Sequence, residues 1–147
     1  MVVLEVGGLE AKFEAAQATL KARGLPSTCE FAYHGTALEN IRRIQLEGFK
    51  MPGLGVPVAN GTVHGRGIYL GETPELSAHY AEGQRMLLVA ALPGASGPQL
   101  TVDTISVDNW AVCEGVCQSH RPNNSMLIVA SPVLTVPRYV IYGSEEG

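Results

Sequence analysis

The chain is poor in charge and in aromatic rings: of 147 residues, 16% are Asp, Glu, Lys or Arg and 6% are Phe, Trp or Tyr, with a single Trp. Ten Lys and Arg against fourteen Asp and Glu leave a net charge of −4. The basic residues form no stripe, which argues against a nucleic-acid partner. Three cysteines are too few, and odd in number, for a disulfide framework, as in a reducing compartment. No apolar run is long enough to cross a bilayer, and no charged-then-apolar leader opens the chain. The expectation is an intracellular protein, cytoplasmic or nuclear, without a membrane partner. Repeats and low-complexity blocks are absent as well. What is present is 46% hydrophobic content at one-domain length, enough for a buried core over residues 1–147. The ends suit natural termini and the cut ends of a larger protein equally.

Residues 8 to 22 place Leu9, Phe13, Ala16 and Leu20 on one helical face, and Gly24 to Pro26 stop the pattern. A strand then runs through His34. Thr36 and Glu39 read as a capping box opening a helix that turns Leu38, Ile41 and Ile44 inward and ends at Gly48. Residues 50 to 67, rich in glycine and without apolar period, read as a long loop. Ile68 to Leu70 is a short buried strand, and Thr73 with Pro74 starts another helix. Met86 to Leu92 is strand-like, closed by Pro93 and Gly94. Leu100 to Val102 and Ile105 to Val107 suggest short strands, with Trp110 and the Cys113 to His120 stretch in an insertion. Met126 to Ala130 and Tyr139 to Tyr142 close the chain as strands, joined through Pro132 and Pro137. Helices early and strands late predict an α+β domain with a largely antiparallel sheet.

Two segments carry the chemistry. One is Phe31-Ala32-Tyr33-His34-Gly35-Thr36; the other is Gly65-Arg66-Gly67-Ile68-Tyr69, with Ser77 eight residues on and Tyr80 three further. Each ends a strand-like run on a polar group beside glycine, where a rigid strand and a close backbone can present donors to a ligand. Gly-x-Gly alone is weak, but joined to Ile-Tyr, Ser and Tyr and preceded by His-Gly-Thr it is specific. The arrangement resembles the ADP-ribosyltransferase catalytic domains of the poly(ADP-ribose) polymerase superfamily. The stretch from Phe31 to Asn40 is most similar to the small mono-ADP-ribosyltransferase branch, which carries Phe-Ala-x-His-Gly-Ser-x-Leu-Glu-Asn. Matching blocks at 31–49, 65–80 and 126–141 cover a little over a third of the chain.

The resemblance implies a single domain with a split sheet and flanking helices, without the regulatory helical domain that some polymerases place before it. It also implies NAD+ as co-substrate and a protein acceptor as partner. His34 would hydrogen-bond an adenosine ribose hydroxyl, Tyr69 would pack on the nicotinamide side and Tyr80 would stack on its ring. Gly35 and Ser77 would clamp the carboxamide, with Thr36 beside them. Cleavage of the nicotinamide–ribose bond passes through an oxocarbenium-like state, so holding the dinucleotide strained is the main demand. One departure matters. Polymer-forming members carry a glutamate at the start of the penultimate strand, where it bonds the nicotinamide ribose and activates the acceptor. Met126 falls there if Arg138 to Ile141 is the last strand; the other alignment puts Arg138 there. Neither side chain can act as that base. With His34, Tyr69 and Met126 at the catalytic positions, the expectation is single transfer, not elongation; the alternative is a catalytically silent module of the same fold.

The plain structural readings are a satisfied strand histidine at His34, core aromatics at Tyr69 and Tyr80, a solvated Ser77 and an ordinary strand Met126. His64 and His79 stand alone and are expected on the surface. Cys113, Cys117 and His120 have zinc-type spacing, but a fourth ligand would have to come from distant Cys29, so no metal is expected.

Overall fold

A computed structural model describes residues 2–50, 67–74, 85–97, 110, 117–123 and 125–142. Its strands are β1 (Val2–Val3), β2 (Glu30–His34), β3 (Ile68–Gly71), β4 (Arg85–Ala91), β5 (Ser119–His120), β6 (Met126–Val129) and β7 (Thr135–Tyr142); its helices are α1 (Gly8–Ala22) and α2 (Leu38–Glu47). The strands form one sheet in the order β1-β7-β4-β2-β3-β6-β5, antiparallel at each neighbouring pair. This is the α+β architecture with a largely antiparallel sheet that the sequence predicts.

Helix α1 follows its apolar spacing: Phe13, Ala16 and Leu20 are buried, and Leu9 packs on the core. It ends in a Schellman geometry, with Leu25 N–H on the Leu20 carbonyl at 2.9 Å and Gly24 N–H on Lys21 at 3.1 Å. The left-handed φ of +71° at Gly24 is what that turn requires. α1 packs against β7 and the 3-10 turn Pro132–Leu134 that precedes it.

Helix α2 corrects the capping-box reading. Its N-cap is Ala37, without a side-chain cap, so Thr36 and Glu39 each stand one place early for the box. Asn40 Nδ2 instead donates to Thr36 Oγ1 at 3.3 Å. Ile41 and Ile44 are buried as expected, while the Leu38 side chain lies outside the described residues.

The end of the chain brings two further corrections. Pro137 does not sit in the connection but inside β7, opposite Val89, where a bulge makes Arg138 the extra residue between Leu88↔Tyr139 and Val89↔Pro137. A bulge tolerates the missing proline N–H. The stretch placed in an insertion ends as strand β5, and just before it the buried Gln118 accepts from Ala95 N–H at 2.9 Å and donates to the Trp110 carbonyl at 2.9 Å. The 50–67 loop, apart from its ends, the expected strands between 100 and 107, and His64 and His79 lie outside the described residues.

The sheet is continuous but uneven. β4 pairs with β7 from Arg85↔Tyr142 to Ala91↔Thr135, and with β2 from Glu30↔Ala91 to His34↔Leu87. Between β2 and β3, by contrast, the register shows one pair among the described residues, Tyr33↔Gly71. At that seam the split that the resemblance implies is therefore not a break into two sheets: β2 and β3 remain paired neighbours in one seven-stranded sheet.

Candidate active site

The two motifs meet at this seam. His34 ends β2 and Tyr69 lies inside β3, and the His34 Nδ1 sits 3.4 Å from the Tyr69 carbonyl oxygen. A carbonyl only accepts, so Nδ1 carries the proton, and in the neutral ring Nε2 is left as an acceptor. The Phe49 ring stands edge-on to the imidazole, 4.8 Å away and at 82°. Burial pushes the His34 pKa below its ordinary 6.5, against a smaller opposite pull from the Tyr69 carbonyl. The imidazole is therefore neutral at pH 7, and its Nε2 can accept a hydrogen bond from a hydroxyl.

Strand alternation separates the side chains. His34 shares a sheet face with the buried Ala32, whereas Tyr69, between buried Ile68 and Leu70, projects from the other face. Met126 opens β6 opposite Gly71, which itself pairs with Tyr33, so one row across three strands reads Tyr33, Gly71, Met126. Gly71 is the one member of that row without a side chain, and it is buried. Both Tyr69 and Met126 are half-buried and packed against the core. Gly35 and Thr36 form the half-buried turn into α2, where Thr36 Oγ1 holds Asn40. Ser77 and Tyr80 lie outside the described residues.

Arg138, the other residue aligned with the family's glutamate, is committed elsewhere. Its Nη1 pairs with Glu10 of α1, and its guanidinium lies 5.6 Å from the centre of the Phe13 ring. Neither aligned position carries an acid. His120 Nδ1 meets the Gly97 carbonyl at 3.1 Å, and the described residues contain no group of three His, Cys, Asp or Glu able to hold a metal; Cys113 lies outside them.

Sequence reasoning missed Phe49, which walls the His34 ring, and the cluster of Arg121, Glu30 and Glu72. Arg121 Nη2 lies 2.9 and 3.0 Å from the two carboxylate oxygens of Glu30, while Nη1 pairs with Glu72. Partners 91 residues apart leave no local signal.

Residues 3–109 match the model of the poly(ADP-ribose) polymerase catalytic domain. The chain belongs to that family. Its fold agrees: the crystal structure of the PARP domain of Arabidopsis RADICAL-INDUCED CELL DEATH1 is similar at a TM-score of 0.65 and 19% identity, over 94% of this chain and 82% of that one. No curated protein matches the chain. The PARP match takes in β2, β3 and β4, and with them both motifs, and stops before β6 and β7, which carry Met126 and Arg138. The domain is thus of ADP-ribosyltransferase type in family and fold, and NAD+ is the substrate such domains use.

Proposed function

We propose that the domain is a mono-ADP-ribosyltransferase, passing ADP-ribose from NAD+ to protein side chains and releasing nicotinamide. The observation that carries this reading is the seam itself: in a PARP-family fold, the His-Gly-Thr and Gly-Ile-Tyr strands lie side by side and His34 is held in one tautomer by Tyr69. His34 Nε2 would accept from an adenosine ribose hydroxyl. Gly35, Thr36 and Ser77 would hold the carboxamide side, and Tyr69 and Tyr80 would flank the nicotinamide ring. The cleavage is driven by positioning an ion-like sugar, and the acceptor brings its own nucleophile. Met126 and Arg138 supply no base for extending a chain, which limits the product to one unit. The same lack of an acid favours the second reading, a module that binds the dinucleotide without turning it over.

The test is incubation with NAD+ labelled in its adenylate half, scored for free nicotinamide and for label on protein. Single additions by mass spectrometry are expected, and long ladders would overturn the assignment of Met126 and Arg138. Benzamide, a nicotinamide mimic, should raise the melting temperature, with Tyr80→Ala losing the shift first. A shift without turnover identifies the silent module, and no shift at millimolar benzamide removes the pocket.

A further inference from the structure

We propose that Arg121 is a positioning residue for the active site, a clamp that sets the spacing of the two strands carrying His34 and Tyr69. The inference rests on the reading of the His34–Tyr69 end as the dinucleotide site.

Backbone pairing across the seam between β2 and β3 is short among the described residues. A single register pair, Tyr33↔Gly71, joins the strands among the described residues, and the long His34–Tyr69 contact of 3.4 Å lies to one side of that pair. To the other side lies Arg121. Glu30 begins β2 and so belongs to the half of the sheet built on β4, β7 and β1; Glu72 follows β3 and belongs to the half that includes β6 and β5. The guanidinium grips both. Its Nη2 lies 2.9 Å and 3.0 Å from the Glu30 oxygens, and its Nη1 takes the Glu72 carboxylate.

The turn that carries Arg121 is itself fixed to the end of β3. Glu72 N–H donates to the Ser125 carbonyl at 2.8 Å, and Asn123 Oδ1 accepts from Ser125 N–H at 2.9 Å and from its hydroxyl at 2.7 Å. Arg121 therefore reaches out from the β3 side of the seam and closes on β2. Tyr69 lies on β3, three residues before Glu72, so a movement of β3 away from β2 at Glu72 alters the reach from the Tyr69 carbonyl to His34.

A planar fork with donors on two nitrogens can hold two carboxylates at once, whereas an ammonium is a compact point charge without that fixed geometry. The side chains of Arg121, Glu30 and Glu72 are 32%, 49% and 25% exposed. Ion pairs this wet add little to global stability. Their loss should be read at the site instead, and that separates a positioning role from a merely structural one.

The experiment compares the whole chain with Arg121→Gln, Arg121→Lys and, as an independent route to the same break, Glu72→Gln. Ring-nitrogen NMR of His34 without ligand reads the clamp directly. The wild type should show the Nδ1–H tautomer, and all three variants should move toward a tautomer mixture while their melting temperatures stay within a few degrees. Where the wild type releases nicotinamide, the variants should raise KM for NAD+ by about tenfold with a smaller change in kcat. Unchanged His34 nitrogen shifts in folded variants would overturn the proposal, as would an unchanged KM. A wild type that neither responds to benzamide nor releases nicotinamide would remove the dinucleotide reading, and the His34 shifts would still decide for or against the clamp. If Arg121→Gln does not fold, Glu72→Gln carries the same comparison.

Discussion

The β2–β4–β7 ladder and the β2–β3 seam share a strand and contrast in nearly everything else. On one side of β2, main-chain pairing runs the length of the strand, from Glu30↔Ala91 to His34↔Leu87, over side chains such as Leu87 and Val89 that are 0% exposed. On the other side, the described residues show one register pair, with an imidazole contact and a guanidinium beside it. Main-chain pairing is largely indifferent to side-chain identity, whereas the seam depends on His34, Arg121 and their partners. The ladder is thus a scaffold, and the seam is where particular residues decide geometry. The two motifs that identify the family fall on either side of it.

The largest effect that would sharpen this contrast is in the ladder. Leu87 is 0% exposed, and Leu87→Ala should cost roughly 2–5 kcal/mol in urea denaturation. Leu70→Ala, on the seam side at 2% exposure, belongs to the same range if the sheet unfolds as one unit. A separate early transition for Leu70→Ala would mark the seam as a boundary between two unfolding units. Next comes His34→Ala, which removes one or two hydrogen bonds to a bound hydroxyl and should lower kcat/KM for NAD+ about ten- to a hundredfold, or roughly 1–3 kcal/mol, with a much smaller change in melting. A loss of stability as large as that of Leu87→Ala would make His34 a core residue and not a site residue.

A smaller effect separates the two sides by pH. Burial holds the His34 pKa below 6.5, so the unfolded chain binds its proton more readily than the native one. His34 therefore opposes folding in acid: stability rises with pH from the native pKa up to about 6.5 and is flat above it, as far as this residue is concerned. The difference between wild type and His34→Ala, measured by denaturation from pH 7.5 down to pH 5, should shrink or reverse toward acid; a difference independent of pH would refute the buried, neutral ring. Smallest of all, Glu10→Gln should cost about 0.5–1 kcal/mol, because the Glu10–Arg138 pair on the α1 side is partly exposed. It should leave nicotinamide release untouched, since Arg138 faces α1 and not the seam.

How much of this was legible in the sequence follows from range. Helix α1 shows its face through the spacing of Phe13, Ala16 and Leu20, and its end through Gly24, because helix periodicity and caps are local. β2, β3, β4 and β6 are long and apolar enough to stand out. β1 and β5, at two residues each, are too short to display any alternation and exist only as partners of β7 and β6. The capping box failed by one residue, since a Thr-x-x-Glu pattern does not fix which residue leaves the helix first. Pro137 reads as a breaker until the bulge beside it is known. At the site, His34 and Tyr69 were visible because each sits in a compact motif. Phe49 and Arg121 were not, because what makes them matter is a neighbour brought from elsewhere in the chain.

The bulge at Arg138 also sets how β7 can change in length. In a regular strand the loss of one residue turns every side chain beyond it to the opposite face of the sheet. Here Leu88 and Val89 are consecutive, while their partners Tyr139 and Pro137 are separated by Arg138 alone. Removing Arg138 would make the partners consecutive too, leaving Tyr139 on its own side and Pro137 on its own. Between Thr135 and Tyr142, this is the position at which the chain can shorten without inverting the sheet, and the contacts given up would include those with Glu10 and Phe13 and the Leu4 N–H bond to the Arg138 carbonyl. A deletion at Val136 or Val140 has no such slack, so β7 should tolerate loss of length at its bulge and nowhere along its regular stretches.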